Sequence, residues 1–367
     1  MAGKRFFRNI LMVINFIIIF LYLITCLYPF INTSEYWLLA FPGLVFPIIF
    51  FVLIFYSIYW LIRKSKWWLI NIIVLLIGFQ QIKVAFAFHW PESFKQAKAP
   101  NSIRIMQWNL SAWGLFNETK DSTAFIKMKK LIADQNVDVL CFEEYFDVLY
   151  PNDFKPLTRS LQSIGYPYSY MVPSEYYEND AEYGIAIFSK YPIADSGKYK
   201  FNESVDKEHL IFADIQKDHH TFRIFATHLQ SVHFKQREYS SLSDIKHGRE
   251  GGLKDSRTIV SKLKRGYVSR FIQAGIVNRH IGESPYPAIV CGDFNDVPNS
   301  STYFKIRGNL RDAFLEKGFF IGRTFRFISP TLRIDYILAD KKLTVSQFQR
   351  VKVTYSDHYP LIADISY

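Results

Sequence analysis

Eight polar side chains stand at or beside the ends of β-type runs in this 367-residue chain. Asn109 follows the run 102–108, Glu144 follows 137–142, His228 closes 224–228, and Asp293 and Asn295 follow 288–292. Asp335 interrupts 333–337, and Asp357 and His358 precede the last run, 361–366. A strand end lets a rigid sheet aim a side chain into a shared cleft. Carboxylate, amide and imidazole without a thiolate cluster suit a hard cation, Mg²⁺ or Mn²⁺, which takes oxygen ligands and keeps waters. The three cysteines are scattered, Cys26 in an apolar run and Cys141 and Cys291 in β-type runs. That spacing excludes a disulfide framework and a thiolate zinc site. No phosphate-cradling glycine loop, Gly-x-Ser-x-Gly elbow or His-Glu-x-x-His helix offers a competing chemistry.

These side chains need a scaffold, and apolar patterning predicts one. Strand-like runs fall at 102–108, 137–142, 183–188, 209–215, 221–227, 287–291, 333–338 and 361–366. Between them, Phe125, Met128, Leu131 and Ile132 line one helical face after a Ser122 cap, and 256–281 repeats apolar residues every three to four positions. Strands and helices mix without strict alternation. That predicts an α+β mixed-sheet sandwich flanked by helices, one large domain over 102–367 behind a polar, proline-bounded linker at 91–101.

Six stretches carry a family resemblance. Met106-Gln107-Trp108-Asn109, Asp138-Val139-Leu140-Cys141-Phe142-Glu143-Glu144, Thr227-His228-Leu229, Gly292-Asp293-Phe294-Asn295, Arg333-Ile334-Asp335-Tyr336-Ile337 and Ser356-Asp357-His358 resemble, in order, the motifs of the endonuclease/exonuclease/phosphatase superfamily. That group includes pancreatic deoxyribonuclease, abasic-site endonucleases, neutral sphingomyelinases and inositol-polyphosphate phosphatases. The resemblance covers about residues 100–367 and implies a four-layered α/β/β/α sandwich of the DNase-I type. It also implies Mg²⁺-dependent (or Mn²⁺-dependent) hydrolysis of a phosphoester by in-line attack of water. Carried over by position, Glu144 resembles the principal metal ligand and Asn109 its neighbour, with Asp357 touching the same or a second cation. Asp335 resembles the carboxylate that orients His358, the group that deprotonates or orients water. Asp293 and Asn295 resemble the pair that positions nucleophile and phosphoryl oxygens, and His228 the donor to phosphate or leaving group.

Two positions depart from the family pattern. Ser111 stands where repair endonucleases often carry an acid or amide, which weakens a repair assignment. Glu143 stands where Gln is common, and strand alternation points it away from Glu144, into the opposite face. Each site residue also has a plainer reading: Asn109 as a turn-closer, His228 as a satisfied strand-end histidine, Asp335 as a partner of Arg333. Other residues keep such readings. Asp218, His219 and His220 read as a hairpin turn, His247 and His280 as surface positions, and His89-Trp90 as an interfacial anchor. Tyr166, Tyr168, Tyr170, Tyr176 and Tyr177 read as packing for a loop and strand. The loop 235–254 and the basic helix with Arg257, Lys262, Lys264, Arg265 and Arg270 read either as a grip on an anionic substrate or headgroup, or as a solvated face.

Ahead of the domain, residues 1–90 read as a membrane domain with predicted spans at 10–30, 36–62 and 67–88. Lys4, Arg5 and Arg8 precede the first, and Arg63, Lys64 and Lys66 follow the second, so both clusters are expected in the cytoplasm. Three crossings put the domain outside; a third run lying in the interface leaves it inside. Leu23-Ile24-Thr25-Cys26 loosely resembles a lipoprotein cleavage site, though Thr before the Cys fits poorly. Residues 1–99 hold nine Lys/Arg against Glu35 and Glu92, whereas 100–367 hold 35 basic and 31 acidic residues. The pI of about 9.3 is therefore no evidence for nucleic-acid binding. The resulting expectation is a phosphoesterase anchored in a bacterial inner membrane, its domain extracytoplasmic, acting on phospholipid or sphingolipid headgroups. A tethered nuclease acting on DNA or RNA and a non-catalytic scaffold are the alternatives.

Overall fold

The structure, a computed structural model, describes residues 2–90, 92–115, 123–149, 155–177, 181–201, 208–232 and 255–367. Its strands in chain order are β1 (Ala87–Phe88), β2 (Ser102–Asn109), β3 (Val139–Val148), β4 (Tyr168–Tyr177), β5 (Ala181–Ser189), β6 (Ile193–Lys200) and β7 (His209–Lys217). There follow β8 (His220–His228), β9 (Ala288–Asp293), β10 (Arg311–Asp312), β11 (Phe319–Phe320), β12 (Asp335–Ala339), β13 (Thr344–Arg350) and β14 (Leu361–Ser366). They form two six-stranded sheets, ordered β13-β14-β2-β3-β5-β4 and β10-β12-β9-β8-β7-β6, plus the short pair β1-β11. Within the large sheets only β2/β3 and β8/β9 run parallel. Helices Ala124–Asp134 and Pro156–Gln162 cover the outer face of the first sheet, and Ser256–Gly282 and Ser301–Arg307 that of the second. This is the expected α/β/β/α sandwich.

Alternation along the central strands explains why one end of the sandwich is polar. In β2, Ile103 and Ile105 enter the core between the sheets, while Met106 and Trp108 face the helices. With a period of two, Gln107 and Asn109 continue the inward row. The same rule sets Glu143 beyond Val139 and Cys141, His228 beyond Ile224 and Ala226, Asp293 beyond Ile289 and Cys291, and Asp335 ahead of Ile337 and Ala339. Register then aligns them: His228 pairs with Asp293 across β8/β9, and Asp293 with Asp335 across β9/β12. An apolar inter-sheet core thus ends in a row of ionisable groups.

The strands β4, β6 and β13 were not expected. Each sits at or next to a sheet edge, and Ile-Ala-Asp-Ser-Gly-Lys-Tyr-Lys of β6 lacks the continuous apolar run that two-sided burial imposes on the centre. The helix after residue 122 begins at Ala124 behind Thr123; the expected cap Ser122 lies outside the described residues. Asp218 and His219 turn β7 into β8 with φ of 49° and 67°, the geometry of a two-residue hairpin turn.

The membrane segment departs from three straight spans. Among the described residues, only the helix Ala2–Cys26 is by itself long and apolar enough to cross a membrane, over Gly3–Cys26. The second run divides into Trp37–Leu44 and Phe46–Ile62, bent by 64°, and the third into Trp67–Ile77 and Phe79–Ala85, bent by 63°. Pro42 and Pro47 remove backbone donors around the first break, and Gly78 occupies the second. Residues 87–88, expected to be helical, instead form β1 and pair with β11.

This segment is docked on the sandwich. Arg333, fully buried, donates from Nη1 to Asp312 and from Nη2 to the Val84 carbonyl, both at 2.7 Å. Phe51 packs on Phe320, and Phe41 meets Tyr267 of the helix Ser256–Gly282. The stretch read as a linker is also held: Arg104 pairs with Asp364 and donates to the carbonyls of Lys95 and Gln96.

Candidate active site

All eight sequence-predicted residues meet at the polar end of the inter-sheet space. Asn109 Nδ2 donates to Glu144 Oε1 and to Asp293 Oδ2, each at 3.1 Å, while its Oδ1 accepts from Ser111 N. It therefore closes a turn and bridges two carboxylates at once. His358 Nδ1 lies 2.9 and 3.1 Å from the two Asp335 oxygens. Ionised, that carboxylate only accepts, so Nδ1 carries the proton and Nε2 faces Asp293 Oδ2 at 3.6 Å. His228 Nε2 lies 3.8 Å from Asp293 Oδ2 and 4.0 Å from Glu144 Oε1. Asn295 N donates to Asp293 Oδ1, and its side-chain amide is held by the Leu229 carbonyl. Asp357 lines the same cavity as Glu144 and His358.

Backbone contacts lock the motifs together. Ser356 Oγ donates to the Asn109 carbonyl and accepts from His358 N, and Trp108 Nε1 donates to the His358 carbonyl. Thr324 Oγ1 accepts from both Ile334 N and Asp335 N. Ser111, Ala112 and Trp113 hold φ of 49°, 49° and 59° in succession, strain of the kind that clusters at functional sites.

Glu143 overturns its expected orientation. It is fully buried, accepts from Gln107 Nε2 at 2.8 Å, and Gln107 also reaches Asp335 Oδ1. Both Glu143 and Glu144 face the site because the pairing of β3 with β5 shifts register between Phe142 and Tyr145, and Glu144 adopts φ of 50°. A bulge breaks the alternation on which the expectation rested. Asp335 likewise has no bond to Arg333, whose partner is Asp312.

Five carboxylates in this low-dielectric end strain against one another. Burial, then Asp335, pushes Asp293 up to about 8. Burial and the neighbouring Asp357 raise Glu144, and burial with Asp335 and Asp293 raises Glu143. Burial alone would lower the His358 imidazole, but Asp335 and Asp293 carry it well above its ordinary value. An excess of buried negative charge is what a bound cation relieves. Asp357 Oδ1 is buried without a hydrogen-bond partner, a lone pair suited to a metal. Asp293, Asp335 and His358 also bring one donor atom each within 4.8 Å of the others. Asp335 already serves His358 and Gln107, so this trio fits an oriented imidazole, and the Glu144, Asn109 and Asp357 side fits the ion.

A cavity of about 730 Å³ opens above these groups. Tyr183 and Glu175 line it alongside the expected residues, and so do Leu44, Val45 and Ile48 of the N-terminal apolar segment. Sequence patterning carried no signal for either set. Arg270, read as a possible anion grip, is buried against Asp296 and the Gln230 carbonyl, and Lys264 lies over the Trp37 ring. The loop 235–254 with His247 lies outside the described residues.

Comparison with known proteins agrees with this geometry. The profile of the Endonuclease/Exonuclease/phosphatase family matches residues 106–358, and one described as a domain of unknown function (DUF8431) matches 8–85. No curated protein matches the chain. Among solved structures, the human Nocturnin catalytic domain with bound sulfate anion shares 21% identity over 72% of this chain and 93% of that one, with a TM-score of 0.52. An endonuclease/exonuclease/phosphatase from Beutenbergia cavernae gives 19%, 72%, 72% and 0.54 for the same quantities. A family protein from Leptotrichia buccalis gives 17%, 72%, 100% and 0.52. At such identities the likeness speaks for the fold. The profile match spans more than half of the chain and runs through every motif that meets in the cleft, so this protein belongs to the endonuclease/exonuclease/phosphatase family, whose members hydrolyse phosphoester bonds and generally depend on divalent metals.

Proposed function

We propose that the protein is a membrane-anchored phosphoesterase, dependent on Mg²⁺ or Mn²⁺, that hydrolyses phosphodiester or phosphomonoester bonds in phospholipid or sphingolipid headgroups. One observation carries this reading. The cavity above Glu144 and His358 has a second wall built by Leu44, Val45 and Ile48, residues of a segment apolar enough to enter a bilayer. A site walled by membrane residues meets lipid before it meets solutes, and tethering raises the local concentration of such a substrate.

The residue roles follow from the contacts. Glu144, Asn109 and Asp357 would hold the cation, which when bound offsets charge growing on the phosphoryl oxygens. His358, held by Asp335, orients the attacking water at Nε2 and would accept its proton once a bound cation offsets the Asp335 and Asp293 charge that raises the imidazole. Asp293 stands between the two imidazoles and orients that water, its own backbone turn fixed by Asn295 N. His228 donates to a phosphoryl or leaving oxygen. We place the sandwich outside the cytoplasm of a bacterium. Lys4, Arg5 and Arg8 open the first helix and Arg63, Lys64 and Lys66 follow Phe46–Ile62, whereas Phe86 and Ile321, on the sandwich side, pack at the opposite ends of these helices with Phe46.

The test is a substrate panel for the full-length protein in detergent or vesicles with Mg²⁺. Headgroup release from phospholipid or sphingomyelin, lost in Glu144→Ala, supports the proposal. Cleavage of plasmid or oligonucleotide with lipids untouched would replace it with a tethered nuclease, and no turnover on any phosphoester would favour a scaffold.

A further inference from the structure

We infer that the bend joining Phe41–Leu44 to Phe46–Ile62 is a hydrocarbon-chain subsite, where one long acyl or alkyl chain of a membrane lipid lies against the segment 325–332 while its phosphate reaches Glu144 and His358. The headgroup end of this assignment rests on the lipid reading above; the chain end rests on the cavity itself.

Leu44, Val45 and Ile48 line one cavity together with Phe325, Ile328 and Leu332 and with Glu144, Asp357 and His358. Leu44 also packs on the apolar cluster of Val297, Phe325, Leu332 and Ile334, so the seam from membrane helix to sandwich is continuous. Its volume of about 730 Å³ falls inside the roughly 300–1,000 Å³ typical of small-molecule sites. The apolar wall is open as well as oily: Ile48 is 55% exposed, Val45 41% and Ile328 39%. Exposed apolar surface beside a reactive centre marks a ligand groove.

The bend creates this wall. Val45, at φ −108° and ψ 14°, leaves helical geometry between Pro42 and Pro47, and the chain bends by 64° at Leu44 and Val45, two of the residues that line the cavity.

Charge among the described residues favours this occupant. Arg270 is the one Lys or Arg among the described residues that line the cavity, and Asp296 pairs it. A nucleic-acid groove needs cations along the phosphate track, and a polar sugar phosphate gains nothing from an apolar wall. A single-headed amphiphile satisfies both ends.

The experiment uses full-length wild-type protein in phosphatidylcholine/phosphatidylglycerol vesicles containing a phospholipid with a diazirine in its acyl chain. After irradiation, peptide mass spectrometry locates the adducts. Adducts on 41–48 and 325–332 are expected; labelling confined to Ala2–Cys26 and the remainder of Phe46–Ile62 would overturn the subsite. In parallel, Val45→Trp and Ile328→Trp should lower the rate ratio between a long-chain phospholipid and its chainless glycerophosphodiester about ten-fold or more. An unchanged ratio in both variants would also overturn it. Labelling at 41–48 by a protein that hydrolyses only nucleic acid would sink the headgroup reading and keep the chain site. Lipid hydrolysis without that labelling would do the reverse.

Discussion

The two walls of the cavity are built by opposite means. The polar wall is the terminus of a sheet core, where Asn109, His228, Asp293 and Asp335 inherit their direction from inward-facing Ile, Cys and Ala neighbours on the same strands. The apolar wall comes from a broken helix and a segment nearly 300 residues later, brought together by docking through Arg333, Val84 and the β1/β11 pair. The proposed chemistry sits on the ends of paired central strands, and the proposed access to it beside a break between two helices. On the proposed function, a common fold keeps its reaction while a separate element selects the substrate.

The largest effect should come from the polar wall. Glu144→Ala removes the carboxylate proposed as the principal ligand of the ion and should lower kcat/KM about 10³-fold or more on every phosphoester, as loss of preorganised charge does. A comparable loss from Val45→Trp on a chainless substrate would erase the division between the walls. Next, Asp335→Asn should reduce turnover about 10²–10⁴-fold by releasing the His358 tautomer, with little change in the long-chain to chainless ratio.

A smaller effect addresses the joint between the walls. Arg333→Met leaves Asp312 buried without its cation, and breaking such a pair costs about 3–5 kcal/mol; both side chains are about 1% exposed. Thermal denaturation of the solubilised protein measures this, and an unchanged melting temperature would mean that Arg333 is no staple.

The mildest prediction concerns pH in the absence of metal. Asp293 is raised to about 8 by burial and Asp335, against about 3.9 for an unfolded Asp. Between those values the folded state holds more protons, so stability falls as pH rises through the window. Chelator-treated protein should melt several degrees lower at pH 8 than at pH 5.5, and Mg²⁺ should raise the melting temperature more at pH 8. The reverse order would show that the carboxylates are not mutually repelling.

What could be read from the sequence divides along the same line. Central strands buried on both faces leave continuous apolar runs, and most of those runs, though not 183–188 or 209–215, begin or end beside one of the expected site residues that the structure delivers to the cleft. Edge strands β4, β6 and β13 bury one side and left no such trace. Glu143 escaped because a bulge in β3, invisible in residue types, suspends alternation at the metal-ligand position. The broken spans escaped for a different reason. Proline is tolerated within bilayer helices, so Pro42 and Pro47 permitted a bend without requiring one, and no local pattern links Val45 to Ile328.

Whether strand-end residues hold a divalent ion is best asked with Mn²⁺ titrated into wild-type and Glu144→Ala protein and followed by electron paramagnetic resonance. A saturable signal of bound Mn²⁺ in the wild type, displaced by Mg²⁺ and lost or greatly weakened in Glu144→Ala, is the predicted result. Equal binding by both proteins, or none by the wild type, would contradict the assignment of this cleft as a metal-dependent phosphoesterase site.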